Sequence, residues 1–304
     1  MHQTRHSVLT IFSLVCFGWT GSPGAQELTP RAYWPAPDGA NVLVLAYQYS
    51  SGDIVTDPSL PVVGVESQIN LAQVAWQRTF DLFGRTASTQ LSLPYSWGTS
   101  EGTLNGDYVK VRTTGYGDLR ARFAINFVGA PSMDVAGFRA MLSRPRPIVG
   151  ASLLLQAPTG TYDPARVLNV GTNRWAIKPA IGAILPLPRQ WMFEMDVGVW
   201  LFADNDDFVG GTREQEPILS TELHLIKLFR PDLWVALDMN FYVGGQTTVN
   251  STRRADLQRN SRLGLTVFYP WKQRHAWKFG VSRGVVTETG SDYSIFNVSY
   301  LYAW

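Results

Sequence analysis

Hydrophobic and polar residues alternate with a period of two along most of this chain, in segments of about ten to fifteen residues separated by turn formers. This alternation is the signal of a β-strand with two different faces. We predict about twelve strands, an even number such as single-chain bacterial β-barrels have. They are expected near residues 40–51, 66–80, 86–98, 115–128, 146–157, 173–186, 190–203, 216–229, 232–245, 257–269, 275–287 and 291–304.

The apolar faces of these strands are long enough to meet lipid. In the segment 191–201 the odd positions are apolar, whereas Glu194, Asp196 and Gly198 occupy even positions. Such a row matches the roughly nine to eleven residues of a tilted strand that crosses a membrane. The sequence therefore predicts an all-β fold, a transmembrane antiparallel β-barrel. Tryptophans near the predicted strand ends fit its interfacial aromatic girdles: Trp97, Trp175, Trp191, Trp234, Trp271 and Trp277.

The connections between predicted strands alternate in length, which fits a barrel with short periplasmic turns and longer external loops. Residues 187–189 and 270–274 are examples of the short connections. The connection at residues 129–145 is an exception, because its position calls for a short turn and it is long. We expect residues 134–142 within it to form two helical turns that lie under the barrel.

The two ends of the chain carry export and assembly signals. Residues 1–25 combine a basic start, an apolar stretch and small residues, which is typical of a cleaved signal peptide, and the barrel then occupies residues 26–304. The chain ends on a predicted strand with Tyr300, Tyr302 and Trp304 at alternate positions. This ending resembles the signal that the outer-membrane assembly machinery recognises. We therefore expect export to the bacterial outer membrane.

Composition excludes several other functions. Charged residues make up only 16% of the chain, against roughly 25% in an average soluble protein. Lys and Arg number 26 against 24 Asp and Glu, so no basic surplus indicates nucleic-acid binding. The one cysteine, Cys16, lies in the predicted signal peptide, so we expect no disulfide and no cysteine chemistry. No cofactor motif is recognisable.

Strand parity directs a set of charged side chains into the lumen. One interpretation is structural, since paired charges fill a lumen while staying ionised. The other is that part of the set lines a conduit and selects a solute by charge. In that case we expect the basic residues at 120, 122 and 178 to form a strip facing a strip of the carboxylates. The candidates are Arg120, Arg122, Lys178, Glu194, Asp196, Glu222, His224, Asp238, Arg262 and Lys278.

Two further kinds of site receive less support. His224 shares a strand face with Ser220 and Glu222, the residue types of a hydrolase triad. Successive residues on one face lie roughly 7 Å apart, too far for the hydrogen bond that a nucleophile and its base need. The acidic turn at residues 204–207 offers the oxygen ligands that calcium prefers, although such turns are commoner without metal. We predict no enzyme and no metal.

The chain resembles a known family in a set of motifs that starts at Pro158. They are Pro158-Thr-Gly-Thr-Tyr162-Asp-Pro164, Asn169-Val-Gly-Thr-Asn-Arg-Trp175, Lys178-Pro179 and His224-Leu-Ile226. The family is that of outer-membrane transporters named after the meta pathway of phenol degradation, and the resemblance covers essentially the whole mature chain. It implies a barrel in outer-membrane lipid that passes aromatic or other small hydrophobic compounds.

The first motif lies in a predicted external loop, and the sequence allows two different roles for this loop. Its prolines and glycines can fix a rigid loop whose carbonyl groups accept hydrogen bonds from asparagine and arginine side chains. Alternatively, the loop folds into the mouth of the barrel and gates it. The residues placed near the solute would then be Tyr162, Arg166, Asn173, Arg174 and Trp175.

The function predicted from the sequence is passive or facilitated diffusion of a small molecule through a monomeric outer-membrane barrel, without a cofactor. One alternative is a closed structural or adhesion barrel whose charged lumen admits only water. A less favoured alternative is a surface hydrolase that depends on His224.

Overall fold

The computed structural model describes residues 30–55, 62–104, 107–166 and 168–304. The predicted signal peptide, residues 1–25, lies outside the described residues. In chain order the elements are β1 (Asn41–Val55), β2 (Val62–Leu82), β3 (Arg85–Leu104), β4 (Asp107–Tyr116), β5 (Arg120–Val128), α1 (Val135–Ser143), β6 (Ile148–Gln156), β7 (Ala176–Leu187), a 3-10 turn (Pro188–Gln190), β8 (Trp191–Phe202), β9 (Asn205–Phe208), β10 (Gly211–Gln215), β11 (Ile218–Arg230), β12 (Leu233–Gly244), β13 (Thr247–Val249), β14 (Thr252–Arg253), β15 (Gln258–Lys272), β16 (His275–Val286) and β17 (Gly290–Ala303).

The strands of the main sheet pair antiparallel with their neighbours, and the sheet closes on itself where β17 meets β1. At this seam Trp304 and Asn41 exchange two backbone N–H to O=C hydrogen bonds of 3.0 Å. The sheet has thirteen strands, but β4 and β5 lie end to end along β3, so thirteen minus one gives twelve barrel positions. The predicted twelve-stranded antiparallel barrel is confirmed.

The apolar face of each strand points outward. On β12, Leu237 and Phe241 are 48% and 41% exposed, whereas Asp238 and Asn240 are fully buried in the barrel interior. A soluble sheet would bury the first pair and expose the second, so this inverted distribution identifies an outer surface that faces lipid. The outer-membrane barrel predicted from strand parity is confirmed.

The helix predicted in the long connection is present as α1. Asp134 caps its N-terminus by accepting a 2.8 Å hydrogen bond from the backbone N–H of Gly137. Phe138 is fully buried and anchors the helix against the barrel. None of the described helices combines the length and the apolar character needed to cross a membrane.

The periplasmic end of the interior is filled by an apolar cluster that the sequence analysis does not predict. Residues 30–40, called the N-terminal segment below, contribute Tyr33 and Trp34, which join Phe138 and inward residues of several strands. Trp234 and Phe268 stack there with ring centroids 5.5 Å apart. Trp234 is fully buried, so its assignment to the outer aromatic girdle is wrong.

The external loops after β8 and β12 do not stay irregular. They form a separate sheet of four short strands in the order β14-β13-β10-β9. Arg213 on β10 pairs with Asn205 on β9 and with Val249 on β13. This external sheet stands beside the loop that carries the family motif, because Val209 donates a backbone hydrogen bond to Pro164.

Removal of Tyr300 to Trp304 should prevent the barrel from closing. Residues 300–303 lie opposite residues 42–45 on β1, and their loss would expose unpaired backbone groups of β1 to lipid, at several kcal/mol for each group. We expect no heat-modifiable folded band in gel electrophoresis after refolding in detergent. Trp304→Phe, which keeps both backbone bonds to Asn41, is the control and should fold. A truncated chain that folds as well as this control would contradict the seam.

Candidate functional site

The inward charges of β7, β8, β11 and β12 form one cluster of ion pairs. The Lys178 ammonium lies 3.0 Å from Glu222 and 3.9 Å from Asp196. His224 Nδ1 lies 2.7 Å from Asp238, and its Nε2 lies 3.8 Å from Glu222. We call Lys178, Glu194, Asp196, Glu222, His224 and Asp238 the charged cluster.

The N-terminal segment lies inside the barrel against this cluster. The backbone N–H of Arg31 donates to the Glu194 carboxylate. The Tyr33 hydroxyl donates to Asp196 Oδ2 at 2.6 Å and lies 3.0 Å from Ser152 Oγ. The strand wall leaves room for the ring of Tyr33, because a Cβ at Gly182 would lie 2.0 Å from it. The segment therefore occupies a site that the barrel is shaped to receive.

Basic groups balance the carboxylates on this side of the lumen. The guanidinium of Arg31 is fully buried and lies 4.2 Å from the Trp34 ring centroid, while Arg122 donates to the carbonyl oxygen of Ala32 at 3.3 Å. The two charged strips predicted from the sequence were expected to face each other across a conduit. The structure instead places them side by side on adjoining strands, and Lys178 joins them through its ion pairs.

The opposite wall of the lumen is polar but uncharged. Buried side chains of β1, β2 and β3 point inward there, and Gln77 lies directly opposite Gln90 in the strand register. Gln73 Nε2, Gln90 Nε2 and Ser92 Oγ are buried and have no hydrogen-bond partner among the described residues. We call this the neutral wall, and its members are Gln48, Ser50, Gln73, Gln77, Gln90 and Ser92.

A cavity of about 10 Å³ lies between the N-terminal segment and the β2–β3–β5 side of the barrel. Tyr33 and Trp34 line one side of it, and Gln77, Thr79 and Ser88 line the other. This volume is about that of one water molecule, far below the roughly 300–1,000 Å³ typical of pockets for drug-sized ligands. Its lining combines aromatic rings, hydroxyl groups and amides, and it is too small for an organic solute unless the N-terminal segment moves.

The family motif forms a loop, residues 157–175, that is anchored on one buried carboxylate. Asp118 lies between β4 and β5 and accepts hydrogen bonds from Gln156 Nε2, the Gly160 N–H, the Thr172 N–H and the Thr172 hydroxyl, at 2.9, 2.9, 3.0 and 2.6 Å. Gly160 and Gly171 pack so closely that a Cβ on either would lie 2.7 Å from the other. Sequence reasoning found the loop but missed Asp118 and Gln156.

Three of the predicted gate residues lie where the loop meets the external sheet. The Tyr162 hydroxyl donates to the Asp207 carbonyl at 2.9 Å, and Asn173 donates to Asn205 Oδ1 at 3.0 Å. Arg174 donates to Gln215 and stacks on Phe202, with the ring centroid 4.5 Å away. Burial, together with the nearby Arg213, lowers the pKa of Arg174 to about 9.

Comparison with known proteins assigns the chain to a family. A profile described as MetA-pathway of phenol degradation matches residues 46–301. The chain belongs to this family. The resemblance found in the sequence motifs is confirmed, and the match extends over nearly the whole barrel.

Solved structures similar to this family member are outer-membrane barrels. An outer membrane channel from Pseudomonas putida F1 has a TM-score of 0.77 and 22% identity, over 90% of this chain and 99% of that one. The β domain of the Bordetella autotransporter BrkA has a TM-score of 0.50 and 11% identity, over 88% of this chain and 100% of that one. Curated proteins gave no significant match. These likenesses show the fold.

The remaining predicted residues of this family member make neither the contacts between the motif loop and the external sheet nor the ion pairs of the charged cluster. Arg166 is exposed and pairs with Asp163 at 3.0 Å, and Trp175 is 49% exposed on the outer face. Arg120 donates to Gln156 at 3.0 Å, and Arg262 donates to the Tyr293 carbonyl at 2.7 Å. Lys278 is buried on the inner face of β16.

In the part of the chain that the structure describes, the residues considered for catalysis and for metal binding are not placed to act together. Ser220 is four residues from His224 on β11, roughly 13 Å along the strand. His224 is instead bonded to Asp238, which also accepts from the Thr266 hydroxyl at 2.6 Å. No group of three or more His, Cys, Asp or Glu residues within the described ranges is placed to share an ion, the turn at 204–207 included.

Asp118→Asn should loosen the motif loop. An amide in place of the carboxylate turns one acceptor into a donor that faces Gln156 and Thr172, so the loop loses about 1.5–3 kcal/mol of charge-assisted hydrogen bonding. We expect trypsin to cut after the exposed Arg166 about ten- to a hundred-fold faster, because cleavage follows local opening. Tyr47→Phe, which removes a hydroxyl on the outer surface of β1 and leaves the loop and Arg166 unchanged, is the control. Equal cleavage rates in both variants would contradict the anchor.

Proposed function

We propose that this protein is a passive outer-membrane channel for small molecules, including aromatic ones, and that the solute moves along the neutral wall. The proposal rests on the unequal distribution of charge between the two sides of the lumen. The ionic groups of the charged cluster pair with one another and with the N-terminal segment, whereas the neutral wall carries no charge and can offer only amides and hydroxyl groups to a solute. Buried polar atoms without a protein partner among the described residues occur on both sides, at Gln73, Gln90 and Ser92 and at Glu194 and Ser220. Membership of the phenol-degradation family supports the solute class.

Hydrogen-bonding capacity explains why the neutral wall suits such a solute. Amide and hydroxyl groups can replace the water around a phenolic hydroxyl, and they do not hold a passenger as strongly as an unpaired charge would. Conduction requires binding sites that hold the solute weakly enough for it to leave them. The cavity beside Tyr33 and Trp34 lies on this side, and because it measures only about 10 Å³, an aromatic ring passes it when the N-terminal segment moves aside.

The charged cluster has a different role in this proposal. Removing one partner of a buried ion pair leaves a charge uncompensated and costs about 3–5 kcal/mol. The cluster therefore acts as an anchor that holds the N-terminal segment against β7 and β8, rather than as a selectivity filter. The segment narrows the lumen and thereby limits the size of the solute.

A closed structural barrel is the second candidate, and the apolar packing of the periplasmic end favours it. Trp34, Phe138 and Trp234 are each 5% exposed or less in that cluster. Liposome swelling separates the two functions. A channel predicts faster swelling with phenol-like solutes than with disaccharides, and protein-free liposomes give the baseline. Swelling at the baseline rate for every solute would establish the closed barrel and overturn the channel.

Tyr33→Phe should enlarge the conducting pathway. The variant removes only the hydroxyl that donates to Asp196, a charge-assisted hydrogen bond worth about 1.5–3 kcal/mol. We expect a ten- to hundred-fold higher population of a large-conductance state in planar bilayers. Tyr47→Phe removes a hydroxyl bonded to Asn70 on the outer surface, at 2.7 Å, and is the matched control. If the two variants conduct alike, the N-terminal segment does not restrict the pathway.

A further inference from the structure

Two arginines meet at the external mouth without a carboxylate partner. Arg174 is 8% exposed, and its Nη1 is buried with no hydrogen-bond partner among the described residues. Its Nη2 donates to Gln215 on β10. Arg213 lies two residues before Gln215 on the same face of that strand, so their Cα atoms are about 7 Å apart. The two guanidinium groups are therefore directed to the same corner of the mouth.

Two of the three nearby acids, Asp118 and Asp256, are engaged elsewhere, and the third, Asp204, is exposed to solvent. Asp118 accepts its hydrogen bonds from the motif loop, and Asp256 accepts from the backbone and the hydroxyl of Thr247 at 2.8 and 2.6 Å. Within the described ranges, neither Arg174 nor Arg213 comes within ion-pair distance of a carboxylate. Two guanidinium groups with little solvent around them repel each other, and burial adds to that cost. An anion bound between them would remove both penalties.

Aromatic rings flank this corner. The guanidinium of Arg213 lies 5.4 Å from the centroid of Phe208, and that of Arg174 lies 4.5 Å from the centroid of Phe202. The Phe202 ring is nearly parallel to Trp200, at 5° and 6.2 Å, and the Lys178 ammonium lies 5.9 Å from Trp200. A column of cations and rings thus leads from the mouth toward the charged cluster.

We propose that Arg174 and Arg213 form an external binding site for the carboxylate of a small aromatic acid, with its ring against Phe202 and Phe208. A planar guanidinium matches a carboxylate through two parallel hydrogen bonds, and its flat face also stacks on rings. Gln215 completes the site as a neutral neighbour. The inference deepens the proposed channel function by naming the solute class that the mouth captures first.

Calorimetric titration of the full-length mature barrel in detergent tests the site without any transport. Benzoate is the main probe, benzyl alcohol lacks the charge, and acetate lacks the ring. We expect benzoate to bind more tightly than either, and its affinity to fall with added sodium chloride. Benzyl alcohol binding as tightly as benzoate would overturn the carboxylate site, and acetate binding as tightly would overturn its aromatic part.

Arg174→Gln and Arg213→Gln should each weaken benzoate binding by about ten- to a hundred-fold, because each removes a charge-assisted contact. Arg166→Gln is the matched control, since this exposed arginine of the same loop is paired with Asp163 and should leave binding unchanged. Arg174→Lys keeps the charge but loses the planar fork, so it should fall between wild type and Arg174→Gln. Heat-modifiability gels establish that every variant is folded.

Unchanged affinity in both glutamine variants would overturn the site. That outcome is distinguishable from failure of the channel, since liposome swelling measures transport independently. Benzoate that binds at Arg174 but fails to permeate would leave the site standing and remove the channel. If benzoate permeates but its binding does not depend on Arg174 and Arg213, the channel stands and the proposed site is wrong.

Discussion

The carboxylates of Glu194 and Asp196 are hydrogen-bonded to the N-terminal segment, and the arrangement of the lumen depends on this buried contact. The segment brings Arg31 and Tyr33 to one side of the barrel, where they meet the charged cluster. Desolvation of so many ionised groups is tolerable only because each has a close partner of opposite charge or a hydrogen bond. The neutral wall is left facing the remaining space.

The motif loop at residues 157–175 is held in place by the same kind of interaction. Asp118 is a buried carboxylate that gathers donors from an inserted segment, as Glu194 and Asp196 do from the N-terminal segment. In both places a chain segment that lacks regular secondary structure is fixed to the barrel by charge-assisted hydrogen bonds, the N-terminal segment in the lumen and the motif loop at the external end. Small residues make room for it, Gly182 beside Tyr33 and Gly160 beside Gly171. The barrel is thus a scaffold that holds two irregular segments in fixed positions.

Strand parity was sufficient to predict the barrel and the face of each charged residue, because lipid and lumen impose opposite polarity on alternate positions. It did not reveal which inward residues meet a segment from elsewhere in the chain. Trp234 shows this limit, since a tryptophan near a strand end fits both an outer girdle and an inner apolar cluster. Gln73 and Gln90 were overlooked because they are uncharged. Asp118 was overlooked because its donors come from residues about 40 to 54 positions away.

Thiol accessibility inside the membrane-embedded protein tests most directly whether the pathway follows the neutral wall. Gln90→Cys lies on that wall, and Ser220→Cys occupies an equally buried inward position on β11, beside the charged cluster. A small water-soluble thiol reagent should modify Gln90→Cys quickly and lower its single-channel conductance, while Ser220→Cys should react slowly and keep its conductance. Faster modification of Ser220→Cys, with loss of conductance there and not at position 90, would contradict the account.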